Sequence, residues 1–240
     1  VININPRSER ERATWLVLLD LARRQPHWTV IGARMVELHA FARGQTVART
    51  TVDADALADA REHPNPVGRL AQILVDAGFE LAEPSVLGVG HTFLRDGVEI
   101  DVLAPEHLGP GSANARVTVP PAHTVEVPGG RQALARTEMV EVQVGDVRGT
   151  LPRPNLLGAI LIKARAVGLR PARDAHRSDL ALLLSFVEDP EVLAASLAGD
   201  EAAWLRRRSE MDDPSAECWR GLTVQARQRG LAALRILRSS

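Results

Sequence analysis

The 240 residues contain no tyrosine, one cysteine (Cys218) and one lysine (Lys163), and aromatics amount to only 3%. The core must therefore be built from Leu, Val, Ala and Ile. Aromatic platforms for stacking nucleic-acid bases are nearly absent. A single cysteine excludes an internal disulfide and a Cys-rich zinc site, and it fits a reducing cytoplasm. Charge of one sign is also lacking. The formal net charge is −1, from 29 basic and 30 acidic residues, which excludes a globally basic nucleic-acid binder but not a local basic face. The longest apolar runs, 156–162 and the stretch from 180, fall far short of the ~18 residues that span a bilayer. The opening Val1-Ile-Asn-Ile-Asn lacks the charged-then-apolar pattern of a leader, so the expected location is cytoplasmic with no membrane partner.

Several catalytic signatures are missing as well. The only lysine follows Ile162, so there is no phosphate-loop G-x-x-x-x-G-K-[ST]. Gly88-Val-Gly90 lacks the third glycine of a dinucleotide fingerprint, and His-Glu-x-x-His does not occur.

What is present is ordinary for a globular chain: 45% hydrophobic and 25% charged residues, with enough length to bury a core. Periodicity predicts helices over 9–24, 33–41 and 67–77. Strands are predicted over 27–31, 46–54, 79–82, 91–95, 98–103, 116–119, 124–127, 139–144 and 147–151. Asp96-Gly97 is a strong hairpin signal. After Pro152 and Pro154 the pattern turns helical, over 155–167, 175–187, 191–197, 202–208 and 216–237. The expected fold class is α/β (α+β), a mixed sheet with flanking helices followed by a helical C-terminal part. The expected division is 1–151 and 152–240.

The segment Arg49-Thr50-Thr51-Val52-Asp53-Ala54-Asp55 carries the chemistry. On a strand, Asp53 and Asp55 share a face. Paired carboxylates repel unless a cation lies between them, and Mg²⁺ takes oxygen ligands of this kind. Read alone, the pair also fits a strand edge passing into a polar turn. Asp101 sits in Val98-Glu99-Ile100-Asp101-Val102-Leu103, where Glu99, Asp101 and Leu103 share one face. An Asp within an apolar strand is costly unless something binds it. If this strand lies beside the D-x-D strand, three carboxylates meet, as two-metal phosphoryl transfer requires. Gly32, between a strand and a helix, fits either phosphate binding at a helix N-terminus or a tight turn.

These motifs, in the order Trp28-Thr-Val-Ile-Gly32-Ala-Arg-Met-Val-Glu37-Leu-His39, then Arg49 to Asp55, then Glu99-Ile-Asp101-Val-Leu, resemble the DNA polymerase β-like nucleotidyltransferase superfamily. More narrowly they resemble the AbiEii-type proteins of abortive-infection and toxin–antitoxin systems. The likeness extends through Lys163, Arg170 and Arg173-Asp-Ala-His-Arg-Ser-Asp179-Leu, and spans roughly 28–187. It implies a nucleotidyltransferase fold whose helical part completes a nucleotide cleft. It implies that Asp53, Asp55 and Asp101 hold Mg²⁺ (Mn²⁺ as the alternative) and that Asp101 helps activate the attacking hydroxyl. Gly32 and Ala33 would meet the triphosphate of an NTP through backbone amides, Lys163 would neutralise phosphate charge, and Asp179 would orient Lys163 or touch the nucleotide. Ala33 stands where the family usually has Ser or Gly, so only its amide is left for phosphate. His39 is expected to be a partly buried structural residue.

The basic residues comprise 28 Arg and one Lys. Such a bias replaces Lys wherever a positive charge suffices, which marks Lys163 as a candidate for a site needing a compact ammonium; chance is the competing reading. Residues 218–240 hold Arg220, Arg227, Arg229, Arg235 and Arg238 and no acid. Such a face fits solvation, or phosphate-led contact with an RNA such as tRNA. The expected activity is Mg²⁺-dependent NMP transfer to an acceptor hydroxyl, by a toxin-like enzyme acting on tRNA and, as the resemblance implies, held by an antitoxin. The alternatives are a small-molecule, antibiotic-type nucleotidyltransferase and an inactive nucleotide- or partner-binding member.

Overall fold

The computed structural model describes residues 1–47, 51, 53–61, 63–109, 113–168 and 173–240. It divides into two compact units, Val1–Pro154 and Asn155–Ser240. The class is mixed α/β with a helical C-terminal part.

The first unit opens with β1 (Ile2–Ile4) and α1 (Glu9–Arg24). Ser8 caps α1, its hydroxyl accepting from the Glu11 amide at 3.1 Å, and the Glu11 carboxylate accepts from the Arg7 amide at 2.8 Å. Both bonds satisfy N–H groups at the helix start that have no partner within the helix. The face of α1 carrying Trp15, Leu18 and Leu21 is buried. Then come β2 (Trp28–Ile31), α2 (Gly32–Phe41), β3 (Asp53–Ala58) and α3 (Pro66–Asp76). They are followed by β4 (Glu80–Leu81), β5 (Thr92–Arg95), β6 (Val98–Pro105), β7 (Glu126–Val127) and α4 (Gly130–Ala135). The unit ends with β8 (Thr137–Val144) and β9 (Val147–Pro154).

One sheet runs β2-β3-β6-β5-β4, with β7 added to β6; a second runs β1-β8-β9. In the first sheet β3 and β6 are parallel, while β2 on β3 and β5 on β6 are antiparallel. Ala54, Ala56, Ala58, Val98, Ile100, Val102 and Ala104 are buried, and α1 and α3 contact β6. Asp53, Asp55, Glu99 and Asp101 alternate with them and are only half-buried. Period-two alternation thus puts carboxylates on the open face of a sheet whose other face is core.

In the second unit, α5 (Leu156–Ala166) is buried nearly all round. It is joined by α6 (Arg173–Ser185), α7 (Pro190–Ala195), α8 (Glu201–Arg206) and α9 (Val224–Ser239). Leu157, Leu161 and Trp204 form a cluster covered by Leu193 and Leu197. Gly230 lets α9 approach Trp219, whose indole Nε1 donates to the Met211 carbonyl at 3.0 Å; a Cβ there would lie 2.8 Å from the indole ring.

Three expectations need correction. Of the strand expected over 46–54, residues 48–50 and 52 lie outside the described residues, 46, 47 and 51 are not in a strand, and β3 runs on past 54 to Ala58. The β-branched run Thr50-Thr51-Val52 draws the sequence reading upstream, whereas the observed strand is D-A-D-A-L-A, whose small alanines fit beneath the helices. Residues 116–119 hold a 3₁₀ end and one isolated bridge, Val117 to His123, rather than a strand. The helix expected over 216–237 is a 3₁₀ turn at Glu217–Trp219 and then α9, which begins where Thr223 caps the Ala226 amide at 3.2 Å. The division between the units falls after Pro154, in the Pro152–Pro154 stretch where the sequence pattern turns helical and where β9 ends.

Candidate functional site

Asp55 pairs directly with Asp101 across β3 and β6, and Asp53 pairs with Glu99. Neighbouring strands lie ~4.8 Å apart, so the four carboxylates form a compact block on one face. The three aspartates expected from the sequence are therefore brought together, and Glu99 joins them. Burial, then the negative charges of Asp101 and Asp53, push the Glu99 carboxyl above its usual range, against a small opposing effect of Arg10. Desolvation and crowded like charges raise a carboxyl in this way.

Two threonines hold the block. Thr92 donates to Asp101 Oδ1 at 2.6 Å, and the Thr51 hydroxyl donates to Asp53 Oδ1. Among the described residues no three His, Cys, Asp or Glu side chains form a group that could hold a metal ion. The donor set still fits a hard divalent cation in its chemistry: carboxylates only, on a half-open face.

Gly32 begins α2 with φ +65°, a conformation that favours glycine. A Cβ there would collide with Asp55 Oδ2. Asp55 thus lies against the start of a helix whose N-cap, Ile31, offers no side-chain bond. Sequence reasoning gives Gly32 a phosphate role or a turn role. The structure adds a third reason for glycine: space for Asp55. Ala33, half-buried, follows it in the first turn.

Arg34 escapes the sequence reading, although it follows Ala33 directly. It is 1% exposed and donates to Glu11 at 3.1 Å, Glu37 at 2.7 Å and the Thr51 carbonyl at 3.0 Å. The only available signal is the apolar helix around it, which gives an arginine no reason to be present unless paired.

In the second unit, Lys163 on α5 and Asp179 on α6 form an ion pair at 2.7 Å, and they are 3% and 5% exposed. Their proximity matches the expectation. Their burial supplies a packing reason for the lone lysine, since a guanidinium is larger and planar. His39 is fully buried. Its Nε2 lies 3.0 Å from the Pro154 carbonyl, so the neutral ring donates there. Burial, then the Arg153 charge, push its pKa down to about 3. It is wholly buried where partial burial is expected. Of the C-terminal arginines, Arg220 pairs with Glu217, Arg238 pairs with Asp212, and Arg229 donates to the Ser185 carbonyl at 2.6 Å. Arg207 and Arg235 are exposed. Arg49, Thr50 and Arg170, which carry part of the resemblance, lie outside the described residues. No helix is long and apolar enough to cross a membrane among the described residues.

No family model, curated protein or solved structure matches this chain.

Proposed function

We propose that the chain is a nucleotidyltransferase that moves NMP from an NTP to an acceptor hydroxyl. The observation that supports this best is the pairing of Asp55 with Asp101 and Asp53 with Glu99, beside the glycine that starts α2. Asp53, Asp55 and Asp101 are the residues that would hold Mg²⁺, or Mn²⁺ in its place. Bound there, the ion would offset triphosphate charge and favour in-line displacement.

The chain's own groups do the rest. The amides of Gly32 and Ala33, in the first turn of α2, would receive phosphate oxygens. Asp101 would accept the proton of the acceptor hydroxyl as its oxygen bonds to the α-phosphorus and pyrophosphate departs. A phosphate-neutralising role for Lys163 rests on the resemblance alone. Positioning and charge neutralisation suffice for such a displacement.

The acceptor class is RNA, with tRNA first, favoured by the exposed Arg207 and Arg235. Few aromatics are available for stacking, so contact would be phosphate-led and salt-sensitive. An antitoxin partner rests on the resemblance alone.

Thermal melting tests the site. Mg²⁺ and NTP together should raise the midpoint of the wild type, as ligand binding to the folded state must. Asp53→Ala should lose that rise. An NTP-dependent rise that survives in Asp53→Ala without Mg²⁺ would instead favour an inactive nucleotide-binding protein.

A further inference from the structure

We propose that Arg34 is a positioning residue, acting through Thr51 to fix how Asp53 presents its carboxylate to a divalent cation. This rests on the metal-dependent reading above.

Arg34 lies 5.1 Å from the centroid of the Trp15 ring. One of its nitrogens, Nη1, serves Glu11 and Glu37, and the other, Nη2, reaches the Thr51 carbonyl at 3.0 Å. Arg7 adds a second tie: its guanidinium donates to the Val47 carbonyl at 2.9 Å, and its amide donates to Glu11. Backbone carbonyls on both sides of residues 48–50 are thus bonded to one ionic network. Burial of an arginine with two carboxylates is expensive, and apolar side chains of the same volume would often serve stability as well. What such side chains could not supply is a charged donor aimed at the Thr51 carbonyl.

Thr51 carries the effect onward. With its backbone held, its hydroxyl donates to Asp53 Oδ1. A carboxylate has about four lone-pair sites, so fixing Oδ1 aims Oδ2 while leaving it acceptor capacity. The neighbouring strand repeats the device, with Thr92 holding Asp101. Hydrogen bonds to ligating carboxylates orient them, and losing one typically costs 10–100-fold in metal affinity. Lysine at 34 would keep the charge but could not span three acceptors in a fixed plane.

The test is Mn²⁺ titration of the full chain, with free Mn²⁺ read by electron paramagnetic resonance. It compares wild type, Thr51→Val, Thr51→Ser, Arg34→Lys and Asp55→Ala, each with a thermal melt. Thr51→Val should weaken Mn²⁺ binding ~10–100-fold at an almost unchanged melting midpoint. Thr51→Ser should restore binding, and Arg34→Lys should reproduce the valine defect. Should Arg34→Lys fail to fold, the two Thr51 variants decide. Unchanged binding in Thr51→Val, with binding lost in Asp55→Ala, would overturn the positioning role and leave the metal site standing. A wild type that binds no Mn²⁺, or binds it no better than Asp55→Ala does, would overturn the metal reading and this role with it.

Discussion

Replacing Asp179 with Asn should destabilise the protein far more than losing one surface charge would. The Lys163 ammonium lies 2.7 Å from Asp179, and both residues are almost wholly buried. At an effective dielectric constant near 20, attraction at this separation is about 6 kcal/mol. Removing each ion from water costs several kcal/mol, so the intact pair contributes little net stability. The asparagine variant keeps the desolvated ammonium and loses its counter-charge, which should cost about 3–5 kcal/mol. Urea denaturation at pH 7, with fluorescence from the buried Trp204 and Trp219, reads this as a lowered midpoint. The double variant Lys163→Met/Asp179→Leu should recover most of the loss, because an apolar pair of similar volume needs no counter-ion. A loss below ~1 kcal/mol in Asp179→Asn would be the behaviour of an exposed pair. It would refute the burial argument and mean that the ammonium already meets water.

Gly32→Ala should cost at least 1–2 kcal/mol from the positive φ alone, plus the displacement of Asp55, and should weaken Mn²⁺ binding; denaturation and metal titration read the two effects. Gly230→Ala should cost about 1–3 kcal/mol by pressing on Trp219, seen as a lowered urea midpoint. His39 has a folded pKa of about 3, below its unfolded value of 6.5. Its contribution is therefore fully present above pH 6.5 and is lost as pH falls toward 3, by about 1.4 kcal/mol per pH unit. Urea midpoints at pH 7.5 and pH 4.5 should show this loss, and His39→Gln should flatten it.

The parts legible in the sequence are those governed by local chemistry. The 3.6-residue period marks α1 over the range at which it is found. Asp96 and Gly97 have φ of +50° and +77°, the turn that this dipeptide favours. Asp53, Asp55 and Asp101 stand out because carboxylates interrupt apolar or β-branched runs. What the sequence hides is non-local. Alternation places Glu99 on the face of Asp101, but its position opposite Asp53 comes from the register of β3 against β6, which no local pattern states. Arg34 reads as one of 28 arginines until its burial between Glu11 and Glu37 is seen. The start of β3 is misplaced because alanine is a poor strand former, and tertiary packing overrides that preference here. The lone Lys163 is visible as a count, whereas its burial against Asp179 requires two helices to meet.

Nucleotidyl transfer is tested most directly by incubating the protein with Mg²⁺, each α-labelled NTP and a total tRNA pool, beside an Asp53→Ala/Asp55→Ala control. Label should move onto RNA in the wild type only, and from a preferred NTP. Label that moves equally in the control, or no transfer to RNA or any small-molecule acceptor despite Mg²⁺-dependent NTP binding, would contradict catalysis by the paired aspartates.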